Sequence, residues 1–517
     1  MRRILYIFIV LTLVGAAAFF VSKNISPVRS AKDFNVIVIS IDTLRADFIG
    51  AYGNSAIETP HLDAIAKDGI LFEHFYSTIN TTLPSHASLF TGIYPRNHGV
   101  ARNAMRLSAQ NLTMAEFLKE RGYSTAAFIG SFALASVFGL NQGFDLYEES
   151  FIGDPSRLIG QTTIIHTKDG KKLEALEPDT QTGDITRDAT AVKNSFEKWV
   201  QTKRNTKFFG FIHFYDPHFP YLPPEKWYKK RLELIPENTP LTEVARINFY
   251  PTFKNLVGSI ENFRASQVGS VEFSPVIDAL MQLYSAEIEY VDSVIGEIVE
   301  SLNRSGLRDK TILVITSDHG ENLIEHAKFN SFFRHGVLTY ETETWIPFII
   351  SCPGILPEGK RIAARHSQID FFPTIMELLE FDHNLKLDGK SFYEVLSGKD
   401  QKPLSRMLFS EASQPRIREE DSFQGIWPNN ENASSVWYGD WKYTRIPWRK
   451  YEAVFRLTQD PLEQRNLMQV LIQKDPELVQ KLRVELSKWQ KHSGDIDTTF
   501  ELSEEDKEKL ESLGYVN

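Results

Sequence analysis

Polar and apolar positions follow two rhythms along this chain. Short unbroken apolar runs, 35-NVIVISID-42, 124-STAAFIGS-131, 207-KFFGFIHFYD-216, 311-TILVITSD-318 and 345-WIPFII-350, predict strands buried on both faces. Segments of helical spacing lie between them. 61-HLDAIAKDG-69 ends at Gly69, and 113-TMAEFLKERG-122 carries a Thr cap, Glu116 three residues on and a closing glycine. 285-SAEIEYVDSVIGEIVESLNRSG-306 puts Ile288, Val291, Ile295, Ile298 and Leu302 on one stripe. Such alternation predicts an α/β fold, a doubly wound, mostly parallel sheet covered on both faces. Past residue 400 the rhythm changes. 435-SVWYGDWKYTRI-446 and 452-EAVFRLTQDP-461 read as antiparallel strands, and 475-DPELVQKLRVELSKWQKH-492 as a helix. The expected organisation is a main domain over 33–399 and a smaller C-terminal α+β lobe over 400–517. The irregular, Pro- and aromatic-rich stretch 223–284 reads as an insertion near the mouth of a site.

The first 32 residues stand apart. 1-MRR-3 is basic, and 4-ILYIFIVLTLVGAAAFFV-21 carries no charge. That length approaches the roughly 20 residues that span a bilayer core. The basic flank stays on the cytoplasmic side, so the remainder is exported. A signal peptide cleaved after 16-AAA-18 is the other reading, and both place the main domain outside the cytoplasm, periplasmic or at the cell surface.

Composition narrows the partners. The chain has 517 residues, 57 basic and 67 acidic, for a formal charge of -10. That balance disfavours a nucleic-acid partner, which wants a basic face. The single cysteine, Cys352, follows an apolar run and reads as core filling. Oligomeric state is not legible.

Three apolar strands end in ligand-type residues: Asp42, then 213-HFYDPH-218, then 318-DHGE-321. Ligands of open parallel sheets bind beyond the carboxyl ends of the strands, so these ends can share one crevice. Singly, each has an ordinary reading: Asp42 and Asp318 as caps, His213 as a satisfied core histidine, His218 as a loop residue, and His326 and His335 as surface residues. Their conjunction points to a divalent cation. Carboxylate and imidazole donors together favour zinc or manganese over magnesium or calcium.

The stretch 81-TTLPSHASLFTG-92 then gains a role. Two threonines precede a proline that opens a helix, and a helix start attracts anions. A threonine hydroxyl is a poor nucleophile at neutral pH, but a divalent cation lowers the pKa of bound water from 15.7 to roughly 7, and a bound alcohol follows. A plain N-cap is the ordinary reading of Thr81 or Thr82.

With these residues assembled, the chain resembles the sulfatase branch of the alkaline phosphatase superfamily. The likeness runs through 38-VISIDTLRADFIGAYGN-54, 83-LPSHASLFTGIYPRNHGV-100, 216-DPHFPY-221, 316-TSDHGE-321, 335-HG-336, 369-IDFFPTIMELL-379, 388-DGKSF-392 and 454-VFRLTQDPLEQRNL-467, in family order. The resemblance implies Thr82 as nucleophile and Asp42, Thr82, Asp318 and His319 as ligands of one or two metal ions. It gives His218 and His335 catalytic contacts with the substrate or a second metal, with Asp216 as a weaker addition. His86, where sulfatases carry arginine, and Asn103 are the substrate-binding candidates. Sulfatases carry Cys or Ser, converted to formylglycine, where Thr82 stands, and a Lys–His pair where this chain has 130-GSFAL-134. Threonine cannot form that aldehyde. The chain thus looks more like the phosphodiesterases and the phosphoethanolamine or glycerophosphate transferases of the superfamily. The expectation is a metal-dependent hydrolase of a phosphate or sulfate ester on a small molecule, glycan or lipid, phosphoester first. A transferase and a non-catalytic binding protein are the alternatives. 80-NTT-82 fits the N-glycosylation pattern, and Asn80 is expected to be unmodified.

Overall fold

Strand β1 (Asn35–Ile41) shows why the sheet is buried on both sides. Ile37, Ile39 and Ile41 join one apolar cluster, while Val36 and Val38 join another on the opposite face. The computed structural model describes residues 31–151, 164–166, 172–174, 186–232, 275–326, 329, 333–397, 406–414, 427–491 and 502–512. The N-terminal apolar run and most of the 223–284 insertion lie outside these. Among the described residues, no helix is long and apolar enough to cross a membrane.

The other strands of the main sheet are β2 (Ile70–Phe72), β3 (Ser124–Phe128), β4 (Leu146–Glu148), β5 (Phe208–Phe214), β6 (Thr311–Ser317), β7 (Phe348–Ser351) and β8 (Lys360–Ile362). Their order is β8-β2-β7-β6-β1-β5-β3-β4, and only β7 runs against its neighbours. The fold is thus an α/β one with a mixed, mostly parallel sheet. Helices α1 (Pro60–Lys67), α3 (Ala189–Val200) and α4 (Pro275–Arg304) cover the Ile37 face. Helices α2 (Thr82–Thr91) and α5 (Phe371–Leu378) cover the Val36 face.

The stretch 345–350 divides where Pro347 removes a ladder donor. Trp345–Ile346 pairs with Phe75–Tyr76 in a separate small sheet, and β7 alone continues in the main one. The smaller lobe is an antiparallel sheet β9 (Leu408–Glu411), β10 (Ser434–Tyr438), β11 (Trp441–Ile446) and β12 (Tyr451–Arg456). Helix α6 (Pro476–Gln490) backs it through Val479, Leu482 and Leu486.

Candidate active site

Asp42 stands where β1 runs out, with its N–H still donating to the Phe214 carbonyl of β5 at 2.9 Å. Thr43 then turns into the left-handed region at φ +57°, which a β-branched residue adopts only when its surroundings enforce it. Two contacts do so: its N–H donates to Asp318 Oδ1 at 3.2 Å, and its carbonyl accepts from the Tyr284 hydroxyl of α4 at 2.8 Å. Asp318 follows β6 directly. Its Oδ1 also accepts from the His319 N–H at 2.8 Å, so the backbone occupies one carboxylate oxygen and leaves Oδ2 for the crevice. His319 Nδ1 lies 2.9 Å from the Gly320 carbonyl, which only accepts. The proton is therefore on Nδ1, and Nε2 presents a lone pair.

The donor atoms of Asp42, Asp318 and His319 lie within 4.8 Å of one another. His319 Nε2 is 3.4 Å from Asp318 Oδ2 and 3.9 Å from Asp42 Oδ1. Both Asp42 oxygens, Asp318 Oδ2 and His319 Nε2 are buried without a hydrogen-bond partner. Among the described residues, the ion-pair neighbours of these two carboxylates are all histidines. Burial, then the charges of Asp318 and Glu321, push the Asp42 carboxyl well up, and burial pushes Asp318 up. Burial, then the His335 ring, pushes His319 well down, so it supplies no compensating charge. Lone pairs aimed at one another in a dry crevice are costly unless a cation sits among them. Donors about 2.1 Å from a tetrahedral ion are about 3.4 Å apart, close to the spacings found. The residues fit a divalent metal.

Helix α2 begins beside Asp318. Ser85 Oγ donates to the Asp318 carbonyl at 2.7 Å, and His86 Nδ1 lies 4.0 Å from Asp318 Oδ2. The first turn of α2 thus lies against Asp318, with Thr82 wholly buried as its first residue. Thr81 occupies the cap position in extended conformation yet makes no side-chain capping bond. Asn103 does that from outside, its Oδ1 accepting from the Leu83 N–H at 2.8 Å. Its Nδ2 is a buried donor without a partner.

His86 is otherwise engaged than a substrate-binding residue would be. Its Nδ1–H donates to the Thr82 carbonyl at 2.7 Å, and its Nε2 accepts from the Ser40 hydroxyl at 2.9 Å. Its hydrogen-bonding atoms are turned to the protein. Asp216 likewise serves a helix, with Oδ2 accepting from the Ala189 N–H at the start of α3 at 2.8 Å. His218 and His335 do meet: their ring centroids are 5.1 Å apart, and those of His335 and His319 are 4.3 Å apart. His218 Nδ1 donates to the Phe219 carbonyl at 2.6 Å, and His335 Nδ1 to Glu321 Oε2 at 3.4 Å. Each ring thereby directs Nε2 away from these anchors. Burial pushes the His335 ring down to about 4, and the His335 side chain, 12% exposed, is where the cluster meets solvent.

His213 also departs from its sequence reading as a satisfied core histidine. His213 is buried but unsatisfied: neither ring nitrogen has a hydrogen-bond partner, and Nε2 is 3.6 Å from Asp42 Oδ2. The period-two rhythm of β5 could have flagged it, since it occupies the same face as Phe209 and Phe211 yet is polar. Asn80 is wholly buried and donates to the Leu338 carbonyl and to Glu343 Oε2, which leaves no room for a glycan.

Comparison with known proteins places this geometry. Residues 34–381 match the family described as Sulfatase. The chain is 26% identical over 407 residues to the uncharacterized sulfatase YidJ of Escherichia coli K12, covering 76% of each. It is 24% identical over 411 residues to an N-acetylglucosamine-6-O-sulfatase of Bacteroides thetaiotaomicron, covering 71% of this chain and 72% of that one. The fold is shared with the phosphonate monoester hydrolase of Agrobacterium radiobacter, at a TM-score of 0.64 and 22% identity, over 91% of this chain and 98% of that one. The chain belongs to the sulfatase family of hydrolases.

Proposed function

We propose that the chain hydrolyses a phosphate ester, phosphodiesters first, with Thr82 as the nucleophile and a divalent cation as cofactor. The observation that carries this is the set of unpartnered donor atoms on Asp42, Asp318 and His319, beside a buried helix headed by threonine. Asp42, Asp318 and His319 would hold the cation, zinc or manganese by their chemistry, with Thr82 Oγ completing the set. When bound, it supplies the positive charge that makes a hydroxyl acidic enough to attack.

The chain's own residues do the rest. Thr82 Oγ bonds to phosphorus as the bond to the leaving alcohol breaks. The hydroxyl proton passes to the Nε2 of His218 or His335 and from there to the leaving oxygen. Both rings are neutral near pH 7 because burial holds their pKa values down, so each has a lone pair ready to accept. Asn103 Nδ2 donates to a non-bridging oxygen of the ester. Water then attacks the phosphorus held on Thr82 and gives a proton to the same imidazole, which passes it to Thr82 Oγ as that P–O bond breaks; a diester leaves as a phosphomonoester and a monoester as phosphate, with Thr82 restored.

A sulfate ester is the second reading, favoured by the relatives known as sulfatases. A panel of chromogenic phosphate monoesters, phosphate diesters and sulfate esters, run on the chain and on Thr82→Ala, separates the two. Phosphodiester turnover that vanishes in the variant supports the proposal. Sulfate turnover that survives the substitution, with no phosphodiester turnover, overturns it.

The apolar run 4–21 supports a domain held outside the cytoplasm by an anchor or delivered there by a signal. Fractionation of cells expressing the full chain tests this, and recovery in the cytosol would contradict it.

A further inference from the structure

Beside the Asp42–Asp318–His319 group stands a second one that the mechanism above leaves unused. His213 lies on β5 directly across from Ser40 of β1, so the two side chains share one face of the sheet. His86 reaches over that face from α2, its ring edge-on to His213 with centroids 5.1 Å apart. The donor atoms of His86, His213 and Asp318 lie within 4.8 Å of one another. Asp42 presents one oxygen to each group: Oδ1 lies 3.9 Å from His319 Nε2, and Oδ2 lies 3.6 Å from His213 Nε2.

His213 is the decisive residue. It is wholly buried, yet neither ring nitrogen has a hydrogen-bond partner. Each buried polar atom left unsatisfied is costly, and a neutral imidazole carries two. An apolar residue would fill the same space without that cost. The nitrogen that faces Asp42 is placed as a ligand would be.

We propose that His213, His86 and Asp318 bind a second divalent cation next to the first, with the Asp42 and Asp318 carboxylates spanning the pair. The proposal rests on the reading of Asp42, Asp318 and His319 as the first cation's ligands. Two imidazoles and a carboxylate form a donor set for zinc or a similar first-row ion, not for calcium or magnesium. His86 can join at small cost. Its Nδ1 lies 4.0 Å from Asp318 Oδ2, and it is freed as a donor atom when the ring's proton moves to Nε2, where the Ser40 hydroxyl can turn to accept it in place of the Thr82 carbonyl. A second positive charge also balances two carboxylates that otherwise repel in a dry crevice.

The test is a metal count that does not depend on turnover. The full chain is stripped with a chelator, dialysed against zinc or cobalt(II), and analysed by elemental mass spectrometry, with the cobalt protein also examined by visible absorption. Two ions per chain are expected, falling to one in His213→Ala with loss of part of the cobalt absorption. One ion in the unaltered chain overturns the second position and leaves the first standing. None overturns both. Two ions retained in His213→Ala overturn the assignment of His213. Should that variant not fold, as judged by circular dichroism, the count on the unaltered chain still decides, and His213→Gln repeats the comparison.

Discussion

Asn103 connects the local chemistry to the local stability. Its Oδ1 caps α2 and its Nδ2 is the spare donor, so Asn103→Ala removes both. Loss of the cap is expected to cost about 1 kcal/mol of stability in denaturant unfolding. Loss of the donor is expected to lower kcat by about 10²-fold or more while KM changes little, the pattern of an interaction made in the transition state. The placement of Asp42 and Asp318 was legible from sequence because each interrupts an apolar run at its carboxyl end, the end of a parallel sheet where ligands bind. His213 was not, because an isolated polar residue within an apolar strand is usually a satisfied one. Only the partners of its two nitrogens tell the cases apart, and partners are three-dimensional facts. The left-handed turn at Thr43 was equally invisible, since threonine is not a residue that announces such a turn.

Among the strands and helices, hydrophobic rhythm located the elements well and their ends less well. The capping box of Thr113 and Glu116 formed as the spacing expects. Helix α4 begins ten residues before the segment 285–306 that announced it, because Pro275 serves as a first-turn residue and Ile277, Leu280 and Leu283 continue the buried face. The stretch 435–446 folds as a hairpin, β10 and β11, with Gly439 at φ +58° in the turn. How the smaller lobe docks could not be read from periodicity, because its contacts join distant segments: Tyr76, Leu338 and Tyr340 pack with Leu408, Trp437 and Phe455, and a buried ion pair adds to them. Arg96, almost wholly buried, donates to Glu411 Oε2 of β9 at 2.8 Å and to the Gln490 carbonyl of α6 at 2.7 Å, and its guanidinium lies 4.3 Å from the Trp489 ring centroid. Arg96→Met strands Glu411 in the interior and is expected to destabilise the protein by about 3–5 kcal/mol in chemical unfolding. Arg96→Met with Glu411→Leu is expected to recover much of that loss, and no recovery would contradict the pairing.

Across the molecule, the mostly parallel sheet and the apolar layers on both its faces follow from unbroken apolar strands alternating with helices, and that much the sequence carried openly; the strand order was not legible. The acid limit of stability follows from buried imidazoles away from the crevice. Burial pushes His366 down to about 4 and His98 down to about 3. Each therefore binds a proton in the unfolded chain, near its usual 6.5, before it does so in the fold. Their contribution is fully present above pH 6.5 and is lost as pH falls toward 4, up to roughly 3 kcal/mol for His366 alone. Urea midpoints measured in chelator from pH 7 to pH 4.5 are expected to fall for the unaltered chain. A smaller fall is expected in His366→Gln, and an identical fall would contradict the assignment.

The most direct trial of the chemistry is the turnover of Thr82→Ala at known cation content. Asp42, Asp318 and His319 all remain in that variant, so bound metal should be retained, while phosphodiester hydrolysis should fall by about 10³-fold or more. Turnover within about tenfold of the unaltered chain, with the cation still bound, would contradict a threonine nucleophile.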